Sequence, residues 1–111
     1  MNATTRTENG RLVIAVTGRL DSITSPEFDA QAVEWKAEPR NIAVLDASGL
    51  EYISSAGLRS LLALAKRLMD DNSQLVVCGA RGLVEEVLRM SGFDKLIPMY
   101  GVIDDIPAPG A

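Results

Sequence analysis

Along residues 11–17, RLVIAVT, apolar side chains take every position but the ends, with Leu12, Ile14 and Val16 on one face and Val13 and Ala15 on the other. A period of two is the signature of a strand. TTRTE lies just before it and Asn9-Gly10 sits between the two, so residues 4–17 predict a β-hairpin whose second strand is largely buried. Gly18 is expected to break that strand. Ser25-Pro26-Glu27 then puts a capping hydroxyl, a proline and an acid in the order that opens a helix. Phe28, Ala32 and Trp35 recur at helical spacing, and the helix is expected to run to Glu38, before Pro39.

Residues 41–47, NIAVLDA, form a continuous apolar run ending near Asp46, as expected of a central strand covered on both faces. A short loop, SGLEY, leads to Ile53 and a serine pair, Ser54-Ser55. A second helix follows, from about Ser55 to Asp71, with Leu58, Leu61, Leu62, Ala65 and Leu68 at i, i+3, i+4 and i+7 spacing. Arg59, Ala63, Lys66, Arg67 and Asp70 fall on its solvated side. NSQLVVCGA predicts a fourth strand. RGLVEEVLRMSG predicts a third helix, with Leu83, Val87 and Leu88 inward and Gly92 ending it. KLIPMY reads as a short last strand, kept to an edge by Pro98. Met69 and Met90 are expected in the core.

Strands alternating with helices imply an α/β sandwich. The sheet is mostly parallel, of four or five strands, with an antiparallel edge hairpin and about three helices mainly on one side. One domain is expected over residues 1–103, with residues 104–111 a flexible tail in which Asp104-Asp105 is an exposed acidic turn. Sites in such sheets gather at the carboxyl ends of strands, beside helix N-termini. The serine pair lies at one of these places.

Composition narrows the chemistry. The 111 residues carry 11 basic and 15 acidic side chains, no histidine and one cysteine, Cys78, read as a buried thiol. A net charge of −4 and 5% aromatics argue against nucleic-acid binding, which needs clustered Lys and Arg. Without histidine a Ser-His-Asp hydrolase is excluded and a zinc site is disfavoured. The absence of a long apolar run and of a signal-peptide pattern sets the expectation of a cytoplasmic protein with no membrane contact.

Three stretches carry a family resemblance: GRLDSITSPEF, LDASGLEYISSAGLRSLLALAKRL and RGLVEEVLRMSGFDKLI. In order, they resemble the first-helix loop, phosphoserine helix and Met-Ser-Gly turn of the bacterial anti-sigma factor antagonists, which are single STAS domains. The resemblance implies a non-enzymatic protein that needs no cofactor. Unphosphorylated, it would bind a serine kinase that is also the anti-sigma factor, freeing a sigma factor or another regulator. A PP2C-type phosphatase would reset it. Gly57 and Leu58 set the register, so the resemblance puts the phosphoacceptor on Ser55. The family often has an acid where Ser54 stands, which makes Ser54 a second candidate. Asp21, Ser22 and Thr24 of the loop, with Ser54, Ser55, Ala56, Gly57, Arg59 and Ala63, are the candidate partner-binding residues. Asp21 either lies beside Ser55 or simply caps its own turn. A monomer is the expectation, since such a switch needs only a free face around Ser55. Two other classes stand beside this one. The first is a STAS-type ligand-binding or scaffold module in a transporter, lipid-trafficking or sensing complex. The second is a receiver-like domain phosphorylated on Asp46 at the end of a central strand.

Overall fold

Asn9 and Gly10 both adopt positive φ, 53° and 77°. That pair turns β1 (Asn2–Glu8) back onto β2 (Arg11–Leu20) as an antiparallel hairpin. The computed structural model describes residues 1–38 and 40–107. After β2 come α1 (Ser25–Ala32), β3 (Ile42–Ile53), α2 (Ser55–Asp70), β4 (Gln74–Cys78), α3 (Gly82–Met90), the single turn α4 (Phe93–Leu96) and β5 (Met99–Tyr100). The five strands lie side by side in chain order, and every pairing after the first is parallel. The expected α/β sandwich is present, with one further short helix where KLI was expected to begin the last strand.

The helices bury one face of the sheet. Ile14, Val16, Leu20, Ala43, Leu45, Ile53, Leu75 and Val77 meet Phe28 of α1, Leu61, Leu64 and Leu68 of α2, Val84 and Leu88 of α3 and Phe93 of α4. On the opposite face Val13, Val44, Val76 and Cys78 form a smaller cluster sealed by Ile106.

Several boundaries differ from the sequence expectation, each for a visible reason. Gly18 does not end β2: it takes φ 86°, absorbs register shifts either side of it, and the strand continues to Leu20. Nor does β3 stop at Asp46. Gly49 lies so close to Thr17 that a Cβ there would stand 2.6 Å from the threonine methyl, so SGLEY stays extended beside β2. Helix α1 ends at Ala32, six residues short of Glu38. Its chain tightens through i→i+3 bonds at Glu34 and Trp35, and Arg67 donates to the carbonyls of Ala32 and Trp35. Arg67 is therefore half-buried and structural, not solvated. Pro39 lies outside the described residues.

The buried stripe of α2 runs Gly57, Leu61, Leu64, Ala65, Leu68, so Leu64 faces the core and Leu62 does not. On α3 the inward pair is Val84 and Leu88, and Leu83 is exposed. Met69 and Met90 are surface residues, 65% and 80% exposed. The chain after residue 103 also departs from the expected loose tail. Ile106 is buried, and Arg11 donates to the carbonyls of Ile106 and Pro107. Residues 108–111 of the expected tail lie outside the described residues. Cys78 is buried as expected, and loss of water around the thiol raises its pKa to about 11.

Candidate functional site

The carboxyl ends of β2 and β3 meet the N-terminus of α2, and the serine pair sits at that junction. Ser54 is the last extended residue, at φ −100° and ψ 178°, and it caps the helix. Its Oγ accepts from the Gly57 N–H at 3.3 Å and its carbonyl from the Leu58 N–H at 2.9 Å. Its own N–H donates to the carbonyl of Leu20 at 3.0 Å. All three groups are committed to joining strand, loop and helix. Ser55 differs. It is the first helical residue, exposed, and its hydroxyl has no hydrogen bond among the described residues.

Gly57 explains why the motif needs a residue without a side chain. A Cβ there would lie 2.5 Å from the Leu20 carbonyl and 2.8 Å from Ile53 Cγ1. The close approach draws the first turn of α2 against the end of β2, and with it the loop of residues 21–24. That loop is built around Asp21. The carboxylate accepts from the Ile23 N–H at 3.0 Å and the Thr24 N–H at 3.1 Å, and the Arg19 guanidinium stands 3.6 Å away. Thr24 Oγ1 accepts from the Asp21 N–H at 3.0 Å and donates to the Arg19 carbonyl at 2.9 Å. Bonding from the Thr24 N–H, above all, holds the Asp21 carboxyl below the usual carboxylate range.

Of the two roles considered for Asp21, the capping of its own turn is what its hydrogen bonds do. The loop nonetheless abuts the helix start through Leu20, so Asp21 and the serines share one end of the sheet. Ser22 is exposed beside it. Arg59 and Ala63 are also exposed, one and two turns along α2 from Ser55. Ala63 faces a shallow groove shared with Ala32, Val33 and Leu64 between α1 and α2. Gly57 is buried and Ser54 is committed, so those two shape the surface rather than offer contacts.

Two features were missed from the sequence. Ile23 projects from the loop at 85% exposure. Its only signal was an apolar residue standing alone in Asp-Ser-Ile-Thr. Arg19 stacks 4.2 Å over the Tyr52 ring, which fixes the cation beside Asp21. Because β3 was expected to end before Tyr52, nothing placed the two side by side. Asp46 sits inside β3, not at its end, and its carboxylate accepts from the Ser48 N–H at 3.0 Å. The receiver-like reading loses its geometric basis.

Comparison with known proteins follows the same lines. A family model described as "Mlab, STAS domain" matches residues 3–98. The chain belongs to the STAS domain family. Among curated relatives it is similar to BtrV of Bordetella bronchiseptica, described as an anti-sigma factor antagonist. The two are 34% identical over 91 residues, which span 82% of this chain and 78% of the relative. A crystal structure of an anti-sigma factor antagonist from Mycobacterium paratuberculosis superposes with a TM-score of 0.81 at 28% identity, covering 94% of this chain and 88% of that one. A 63-residue stretch is also 38% identical to mouse solute carrier family 26 member 10, covering 56% of this chain and 9% of the carrier.

Proposed function

We propose that this STAS domain is an anti-sigma factor antagonist that works as a partner switch, a regulatory binding protein rather than an enzyme. Its unphosphorylated surface around Ser55 binds a cytoplasmic serine kinase that is also the anti-sigma factor. Phosphate on Ser55 ends the binding, and a PP2C-type phosphatase restores it. ATP and Mg²⁺ belong to the kinase. One observation carries the choice of acceptor: Ser54 is committed as the cap, while the adjacent Ser55 hydroxyl is exposed and unengaged.

A phosphoserine brings about −1.5 to −2 charges at neutral pH. At the first position of a helix it meets backbone N–H groups without intrahelical partners and the positive end of the dipole. The fold therefore tolerates the group. A docked partner offering no cation there does not, because an unpaired charge pressed into an interface costs several kcal/mol. The exposed Ser22 and Ile23 of the loop and Arg59 and Ala63 along α2, with the half-buried Ala56, form the docking face around Ser55.

The test is phosphosite mapping after incubation with ATP, Mg²⁺ and the cognate kinase. Phosphate is expected on Ser55, abolished by Ser55→Ala and retained in Ser54→Ala. Ser55→Asp is expected to bind the kinase at least about tenfold more weakly, the effect of ~1.4 kcal/mol. Binding of Ser55→Asp as tight as that of the unmodified chain would sink the switch. The likeness to the solute carrier favours a second reading, a STAS module serving a transporter. A small ligand that raises the melting temperature without any protein partner would support that one instead.

A further inference from the structure

Given Ser55 as the acceptor, we infer that Arg59 is the intramolecular partner of its phosphate: the modification both adds negative charge and withdraws the cation that the unmodified surface presents. Ser55 and Arg59 are both exposed on α2 at i and i+4. Side chains at that spacing have Cβ atoms about 5–6 Å apart, and an anion N-terminal to a cation is the favoured orientation.

The neighbouring arginines are occupied. Arg19 is shared between Asp21 at 3.6 Å and the face of Tyr52 at 4.2 Å. Arg81 donates to the Ser48 carbonyl at 3.0 Å. Arg67 is turned to the carbonyls at the end of α1. Arg59 has no ion pair among the described residues, and the first turn of α2 contains no acid to compete for it. The hydroxyl one residue further, Ser60, is buried against the core and is no rival acceptor. A phosphate on Ser55 would thus stand one helical turn from a guanidinium that has no ion pair among the described residues. Phosphate and guanidinium form short, charge-assisted hydrogen bonds, bidentate where geometry allows.

On the docking face the consequence exceeds the charge of the phosphate. Before modification the surface presents the exposed guanidinium of Arg59. Afterwards that cation is folded back, and the phosphate–arginine pair presents a net charge of about −1. A partner whose docking uses an acidic group against Arg59 loses its contact and meets a like charge in the same event.

Phosphoserine encoded directly at position 55 makes the test independent of any kinase. The phosphate is titrated by ³¹P NMR at low salt in the native background and in Arg59→Gln and Arg59→Lys. Pairing favours the dianion, so the second phosphate pKa is expected ~0.2–0.4 unit higher in Arg59→Gln than in the native background, the size of an exposed i,i+4 ion pair. Lysine should restore part of the shift, and about 1 M salt should erase it. Circular dichroism of the unmodified Arg59→Gln protein should match that of the parent. Identical titrations in the native and glutamine backgrounds would overturn the pairing and leave Ser55 as acceptor. Kinase-added phosphate found on Ser54 instead would overturn the acceptor assignment and, with it, the place of Arg59 in the switch.

Discussion

Gly57 is the residue on which the site geometry turns. Alanine is the better helix former by about 1 kcal/mol, so a substitution judged on propensity alone should stabilise α2. The surroundings reverse the sign. The nearest atom to an added methyl is the Leu20 carbonyl, 2.5 Å away, and it belongs to backbone that cannot swing aside. Gly57→Ala is expected to destabilise the domain by about 1–3 kcal/mol in urea unfolding, as overpacking does. It should also weaken the Ser54–Leu20 bond that registers the serines against the loop. An unchanged urea midpoint would show that the helix start moves freely relative to β2.

At the scale of elements, Arg67 of α2 acts on α1. It ties down the carbonyls of Ala32 and Trp35 at the end of that helix, just where Trp35 tucks edge-on to Phe28 with ring centres 5.1 Å apart. Removing the donor leaves the Trp35 carbonyl without its hydrogen bond and the Ala32 carbonyl with only the Trp35 N–H, at about 1–3 kcal/mol. Arg67→Ala should therefore lower the urea midpoint and red-shift the emission of Trp35, the sole tryptophan. Native-like emission from the variant would disprove the clamp.

The same elements show what a sequence can and cannot disclose. Strand alternation at 12–16, the Asn-Gly turn and the Ser-Ala-Gly start of α2 were legible because each depends on neighbours within a few residues. The phase of α2 was not. Leucines at 58, 61, 62, 64 and 68 allow two stripes, and the choice of Leu64 over Leu62 is made by Gly57 having to face the distant Leu20 carbonyl. The length of β3 was likewise hidden, because Gly49 passing Thr17 is a contact between strands. Of the site, the serine pair and the Asp21 loop could be read locally. The unequal roles of Ser54 and Ser55, and the stacking of Arg19 on Tyr52, depend on where β3 ends.

For the molecule as a whole, the two faces of the sheet are closed unequally. Helices cover one, while the other relies on Ile106 and the turn before it to bury Val13, Val44, Val76 and Cys78. Cys78 reports on that thin cover. Burial lifts its pKa from 9.0 to about 11, so the folded state favours the neutral thiol. Its contribution to stability is complete below the unfolded value of 9.0 and disappears as pH rises toward about 11. Stability should fall across that window in the parent and lose this component in Cys78→Val, which denaturation at pH 8, 9.5 and 11 would measure. Parallel pH profiles would mean the thiol is already solvated.

Strands 1 to 5 stand in the sheet in the order in which they occur in the chain. On the ribosome, each new strand thus emerges beside a neighbour already synthesised, and none has to wait for a partner encoded much later. The serine pair and its loop, complete by residue 63, can take shape while the last third of the chain is still being made. The apolar stripe of Val13, Val44 and Val76 cannot be closed so early, because its cover arrives only with Ile106. At about 5–20 residues per second, the interval between synthesis of Val76 and of Ile106 is roughly 1.5–6 s. A nascent chain stalled in that interval holds a nearly formed serine site and a bare hydrophobic strip, the kind of exposed patch that chaperones and proteases survey.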